Sequence, residues 1–192
     1  MIDKTRQQLI EAARLLFVRK GYDETTMQEV AQAAGKGRRT LYCYYRNKKE
    51  LLWAVVEAEM NRILEVLQAI VDKDIPADDK MVEFIISRLN NVRHSIFRNG
   101  SLRADFTRYM RTIDSIRNRS EKREIALITA IIEQGIREGT FEVDDVSFMA
   151  SLIHYATKGL ENPYIRGEIA GTGDKRVLEH TARRILLYSL RK

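Results

Sequence analysis

Leu9, Ala12, Ala13, Leu16 and Phe17 recur at i, i+3, i+4, i+7 and i+8. That spacing lays one apolar stripe along an α-helix and fits no strand. Gly21 follows Arg19-Lys20, a basic last turn and a glycine stop, so a helix is predicted over about residues 4–20. After the turn Gly21-Tyr22-Asp23-Glu24, Thr25 offers a side-chain oxygen to cap a short helix that buries Met27, Val30, Ala31 and Ala34. Gly35 ends that helix, because glycine accepts the left-handed exit a tight turn demands. A third helix follows over about Gly37–Tyr45, with Leu41 and Tyr45 on its inner side. Two short helices joined by a tight turn and braced by a preceding helix make a helix-turn-helix.

Charge is segregated in the same region. Residues 1–50 hold 11 Lys/Arg against 6 Asp/Glu, whereas residues 51–192 hold 22 against 21. Lys36, Arg38, Arg39, Arg46, Lys48 and Lys49 fall in a stretch without an acidic side chain, which suits a polyanion as well as it suits a solvated face. The third helix decides between these readings. Its entry, Lys36-Gly37-Arg38-Arg39-Thr40, is basic, and a recognition helix presents its N-terminal residues to base edges in this way. Arg38, Arg39 and Thr40 are the candidates for base contact: arginine pairs with guanine O6 and N7, and threonine touches a thymine methyl or a phosphate. Lys36 is a candidate phosphate contact.

The run Gly21-Tyr22-Asp23, Thr25-Thr26-Met27, Val30-Ala31, Ala34-Gly35, Thr40-Leu41-Tyr42, Tyr44-Tyr45, Asn47-Lys48 and Glu50-Leu51-Leu52 resembles the DNA-binding domain of the TetR family of bacterial transcriptional regulators. The resemblance covers about residues 5–55. It implies an all-α homodimer with an N-terminal helix-turn-helix and a C-terminal helical domain that binds an effector and dimerises. Position by position, it implies that Thr26, Tyr42, Tyr44 and Lys48 meet phosphates, and that Tyr45 is a core residue. A threonine at a helix start, tyrosine hydroxyls and a lysine ammonium all suit phosphate oxygens. Lys36, Gly37 and Arg39 depart from the family pattern of a small apolar residue, then Ser or Thr, then a small residue. Gly37 gives a start without a side-chain cap, and the two cations change which operator is read. Cys43 lies among these residues, with no second cysteine to resolve a disulfide, and is read as a passive small residue.

From Lys49, the residues Leu52, Val55, Val56, Ile63, Leu64, Leu67, Ile70 and Val71 keep helical period until Asp74-Ile75-Pro76. Further helices are predicted at about 78–98, 101–117, 121–138, 144–160 and 174–191, the fourth of them ended by Asn162-Pro163. The expected architecture is all-α with about nine helices: residues 1–48 form the DNA-binding domain and 49–192 the effector-binding and dimerisation domain. Pocket candidates are Phe84, Leu89, Phe106, Tyr109, Met110, Ile113, Ile128 and Ile132, against the alternative that they are ordinary core. Two stripes are candidates for the dimer interface: Phe148, Leu152, Tyr155 and Gly159, then Leu178, Ala182, Ile185 and Tyr188. Arg108 and Arg111, one turn apart, suit an anionic effector as well as a solvated surface.

Other functions find little support. One cysteine excludes an internal disulfide framework and a cysteine zinc cluster. His94, His154 and His180 are too scattered for a metal site. No stretch has the apolar length of a membrane span, and the N-terminus lacks a signal-peptide pattern. No nucleophile motif, phosphate-cradling glycine loop or paired metal-ligand spacing is present, so neither catalysis nor a cofactor is expected. The expected partners are a pseudo-palindromic DNA duplex, a second copy of the chain and a small-molecule effector, with no membrane, in a bacterial cytoplasm. The leading function is a repressor released from its operator by the effector. An activator or ligand-independent regulator of the same fold, or a helical carrier or enzyme, is the alternative; the basic segment 36–49 speaks against the last.

Overall fold

The computed structural model describes the backbone of residues 4–98 and 114–169 and, beyond these, residues 180, 183, 184 and 190; side chains are described for 4–94, 118–169 and those four. Among them are seven helices and no strand: α1 (Lys4–Lys20), α2 (Met27–Ala33), α3 (Arg38–Tyr44), α4 (Lys48–Val71), α5 (Ala77–Arg98), α6 (Asp114–Arg137) and α7 (Val146–Arg166). None of the described helices is long and apolar enough to cross a membrane. Among the described residues, 4–62 with 95–98 and 114–118 belong to one compact unit, and 63–94 with those from 119 onward belong to a second.

In the first unit the predicted stripes meet. Leu9, Ala13 and Phe17 of α1 pack with Val30 and Ala31 of α2, Leu41 of α3, Tyr45, and Leu51, Leu52, Val55 and Val56 of α4. Each large apolar side chain removed from water here stabilises the unit by about 1.5–3 kcal/mol. Gly21 and Gly35 lie at φ +89° and +64°, as the two tight exits require.

The cap of α2 differs from the expectation at Thr25. Thr25 is buried and its hydroxyl donates to the Gly21 carbonyl at 2.7 Å, while Thr26 is the N-cap. The Thr26 hydroxyl accepts from Glu29 N at 3.2 Å, and the Glu29 carboxylate accepts from Thr26 N at 2.9 Å. Thr25 and Gln28 have the same spacing as Thr26 and Glu29, so the pattern permits either cap. The anionic partner prevails, and Thr25 is left to close the preceding turn.

The second unit has its own core, in which Leu67, Ile70, Met81, Phe84, Ile85, Leu89, Ile128, Ile131, Ile132, Phe141, Ile153 and Tyr164 cluster. Polar side chains lock its corners. Lys80 is buried and donates to the Val71 carbonyl and to Gln134 Oε1, both at 2.7 Å. Glu138 accepts from the N–H of Ala77 at 3.0 Å, which caps α5 from the end of α6 and, with Gln134, lowers the Glu138 carboxyl pKa. Gly135 lies in α6 where a Cβ would stand 2.1 Å from the Phe141 ring, so the close approach needs glycine.

Two predicted helix boundaries are corrected. α6 begins at Asp114 and runs unbroken through Asn118-Arg119-Ser120, where a break was expected between 117 and 121. Those residues are polar but include no glycine or proline, so nothing interrupts the backbone hydrogen bonds. α7 continues through Asn162-Pro163 to Arg166 and ends at Gly167, φ +70°, whose N–H reaches the Pro163 and Tyr164 carbonyls. Proline in a last turn costs one hydrogen bond, and the carbonyl it frees belongs to exposed Gly159. The turn is held by Tyr164, which is buried and donates to Asn90 Oδ1 at 2.6 Å.

Candidate nucleic-acid interface

Within the first unit, α3 starts at Gly37 without a side-chain cap, as its sequence predicts. Leu41 and Tyr45 are buried beneath it, and this fixes the rotation of the helix. The same rotation leaves Arg38, Arg39, Tyr42, Cys43 and Tyr44 exposed and Thr40 half-buried. Arg38 lies over the Tyr42 ring, 5.5 Å from its centroid, which aligns the two side chains on one edge of α3. Lys36 is half-buried, and its backbone N–H closes the turn onto the Ala31 carbonyl at 2.8 Å.

A concave surface lined by Gln28, Ala31, Gln32, Lys36 and Arg38 joins α2 to the entry of α3. Gln28 and Gln32 were missed by the reading of the sequence. The available signal was their i, i+4 spacing on the face of α2 opposite buried Val30. Arg39, exposed on the same helix start, makes no side-chain hydrogen bond or ion pair among the described residues.

Lys48 begins α4 but turns toward the protein. Its ammonium donates to the Tyr22 carbonyl at 2.7 Å and the Asp23 carbonyl at 2.9 Å, and sits 4.5 Å from the Tyr22 ring centroid. Two of its three N–H groups are thereby used, and the turn before α2 is tied to α4. Thr26 is exposed, with its hydroxyl engaged in the α2 cap. Glu29, the acid of that cap, pairs with Lys20; this pairing, together with the Thr26 backbone and hydroxyl, lowers its carboxyl pKa from 4.5 to about 2. Lys20 is thus neutralised locally, while Arg38, Arg39, Arg46 and Lys49 are exposed, with no acidic residue on α3.

In the second unit, Phe84, Leu89, Ile128 and Ile132 are all buried in one cluster. Phe106, Tyr109, Met110, Ile113, Arg108 and Arg111 lie outside the described residues. Along α7, Phe148 (64% exposed), Leu152 (51%) and Tyr155 (55%) face outward, joined by Leu160, and Gly159 is exposed with open space at its Cβ position. These residues are not part of the unit's own core. Leu178, Ala182, Ile185 and Tyr188 lie outside the described residues. Among the described residues, no group of three His, Cys, Asp or Glu side chains is arranged to hold a metal ion.

Residues 9–55 match the family described as bacterial regulatory proteins, tetR family. Over 130 residues the chain is 27% identical to the HTH-type transcriptional repressor AcnR of Corynebacterium diphtheriae, covering 67% of this chain and 62% of that protein. Over 55 residues it is 38% identical to the HTH-type transcriptional regulator TtgR of Pseudomonas putida, covering 29% of this chain and 26% of that one. The chain thus spans less than two thirds of either relative. A transcriptional regulator from Cytophaga hutchinsonii superposes over 99% of this chain and 100% of its own, with a TM-score of 0.75 at 22% identity. A tetR-family regulatory protein from Rhodococcus RHA1 superposes over 98% of each chain, with a TM-score of 0.61 at 21% identity. Both have the same fold.

Proposed function

We propose that this chain, a member of the TetR family of bacterial transcriptional regulators, is a homodimeric repressor that binds a pseudo-palindromic operator and leaves it when a small molecule occupies the second unit. The observation that carries this reading is the entry of α3. Arg38 and Arg39 project from its first turn into solvent, with Thr40 behind them, while Leu41 and Tyr45 anchor the opposite face. An element of that shape and charge fits the major groove, where each bidentate arginine–guanine pair is worth about 1–3 kcal/mol of discrimination. Lys36, Tyr42, Tyr44, Thr26 and the third N–H of Lys48 surround it as phosphate contacts that set its register.

Repression is the sign proposed because the longer of the two matches is to a repressor. Dimerisation is supported by the exposed Phe148, Leu152 and Tyr155 stripe, since large apolar groups grouped on one helix face mark an interaction surface. A dimer places two copies of α3 one helical turn of DNA apart. An effector that favours a conformation with another spacing weakens operator binding by its own differential affinity. Such a regulator acts in the cytoplasm, where its DNA is.

The test is selection of bound duplexes from a random pool, followed by the Arg38→Ala/Arg39→Ala variant on the selected site. Loss of sequence preference with residual salt-sensitive binding is expected. Unchanged preference would overturn the assignment of base contact to these residues.

A further inference from the structure

The concave surface between α2 and the entry of α3 is lined by four long polar side chains, Gln28, Gln32, Lys36 and Arg38, around the small Ala31. Its volume is about 510 Å³, and it is open to solvent. Ala31 is buried, and its carbonyl accepts from the Lys36 backbone N–H at 2.8 Å, so the floor of the concavity is fixed by the turn itself. Gln28 and Gln32 are both exposed and stand one turn apart on α2.

Neither of these two amides has a hydrogen-bond partner among the described residues. By contrast, Gln68 donates to Asp72 Oδ1 at 2.8 Å, and Gln134 donates to the Ile75 carbonyl at 3.0 Å and accepts from Lys80. For Gln28 the reason lies in the cap of α2. A cap at Thr25 would make Gln28 the residue whose side chain folds back on the cap backbone. With Thr26 as the cap, Glu29 fills that role, and the Gln28 amide is left for the concave surface.

The hydrogen-bond chemistry of these side chains defines what they recognise. Lys36 and Arg38 only donate, whereas a glutamine amide both donates and accepts. In the major groove guanine presents two acceptors, N7 and O6, and adenine presents an acceptor at N7 beside a donor at N6. Arginine fits the first pattern and glutamine the second, each in a bidentate pair. A purely anionic surface would suit the two cations but set its acceptors against the amide oxygens. Gln28 and Arg38 line one concavity, so a groove wall that meets one meets the other. Of the two glutamines, Gln28 is nearer the start of α2, where Thr26 is placed as a phosphate contact; Gln32 lies about 6 Å further along the helix axis.

We propose that Gln28 is a specificity-determining residue that reads an adenine beside the guanine read by Arg38, so that α2 adds a base to the half-site read by α3. This rests on the reading of the chain as a DNA-binding regulator and extends its base contacts to a second helix. Gln32, one turn further back, is assigned no base and serves as the control on the same face. Gln28 carries no charge, so its loss removes a base preference and leaves every neutralised phosphate in place.

The test is selection of duplexes from a random pool by the full chain and by Gln28→Ala, Gln28→Arg, Gln32→Ala and Arg38→Ala, followed by affinities and salt slopes on the selected sites. The parent chain is expected to require an A·T pair at one position of each half-site, next to the G·C pair whose preference is lost in Arg38→Ala. Gln28→Ala is expected to lose the A·T preference alone, by about 5- to 150-fold, with the circular dichroism and the slope of log K against log salt unchanged. Gln28→Arg should move the preference at that position to G·C, which a merely structural role of Gln28 would not do. Gln32→Ala should keep the parent motif. The proposal is overturned if Gln28→Ala keeps that motif, if it weakens all duplexes equally, if the position it relaxes is not an A·T pair, or if Gln32→Ala relaxes the A·T pair instead. In each of these cases the parent still selects a motif, and the regulator reading stands. Enrichment of no sequence by the parent overturns the regulator reading and the role of Gln28 with it.

Discussion

Replacing Lys48 by methionine keeps its aliphatic stem and removes three N–H donors. Two of those donors hold the Tyr22 and Asp23 carbonyls at 2.7 and 2.9 Å, and the ammonium also lies over the Tyr22 ring. A hydrogen bond from a charged donor contributes about 1.5–3 kcal/mol when shielded from water. Here one bond is part-buried and the other exposed, so the pair together is worth about 1–3 kcal/mol after allowance for solvent. Lys48→Met is therefore expected to lower unfolding stability by that amount in urea titrations followed by circular dichroism, with an unchanged m-value. DNA binding adds a second readout. If the third N–H meets a phosphate in each protomer, the slope of log K against log salt becomes shallower by about 0.9 for each phosphate that is no longer neutralised. Unchanged stability would refute the argument that Lys48 fastens the turn before α2 to α4. Lower stability with an unchanged salt slope would leave the fastening intact and remove Lys48 from the phosphate-binding residues.

Gly135→Ala would gain about 1 kcal/mol in a free helix, but its Cβ would collide with the well-packed Phe141 ring, so a net loss of about 1–3 kcal/mol is expected in urea melts. The double variant with Phe141→Ala should remove the collision and make the alanine at 135 favourable. Thr26→Ala removes the α2 cap and should cost about 1 kcal/mol. Glu29 has a folded pKa of about 2 against 4.5, so the stability it supplies is present above pH 4.5 and is lost as pH falls toward 2. Glu29→Gln should flatten that part of the stability profile. Leu152→Glu places a charge in the exposed α7 stripe, and sedimentation should show monomer where the parent chain is dimeric.

The first unit was legible because its signals are local. Helical stripes, glycine exits at 21 and 35 and the inward pair Leu41/Tyr45 are each set within a few residues. The cap was misassigned by one residue because Thr25 and Thr26 both have a partner three positions on, and the pattern alone does not show that anionic Glu29 prevails over Gln28. The inward turn of Lys48 was hidden for a similar reason: its acceptors are backbone carbonyls, which leave no trace in side-chain patterns. In the second unit, α7 runs past Pro163 because Tyr164 finds Asn90 74 positions away in sequence. Buried Arg88 of α5 pairs with Glu124 of α6 and Glu161 of α7, and these residues look like ordinary surface charges when read singly. The outward stripe of Phe148, Leu152 and Tyr155 was visible as a period, but only the fold separates it from core.

The central claim is that the entry of α3 reads DNA as one half of a dimer. It is tested most directly by selecting duplexes from a random pool with the purified chain and measuring the salt dependence of binding to the selected sequence. The account predicts a pseudo-palindrome with half-sites one helical turn apart, and a slope of log K against log salt of about −4 or steeper, from two or more cationic phosphate contacts per protomer. Enrichment of no sequence, or a shallow slope on the best duplex, would contradict it.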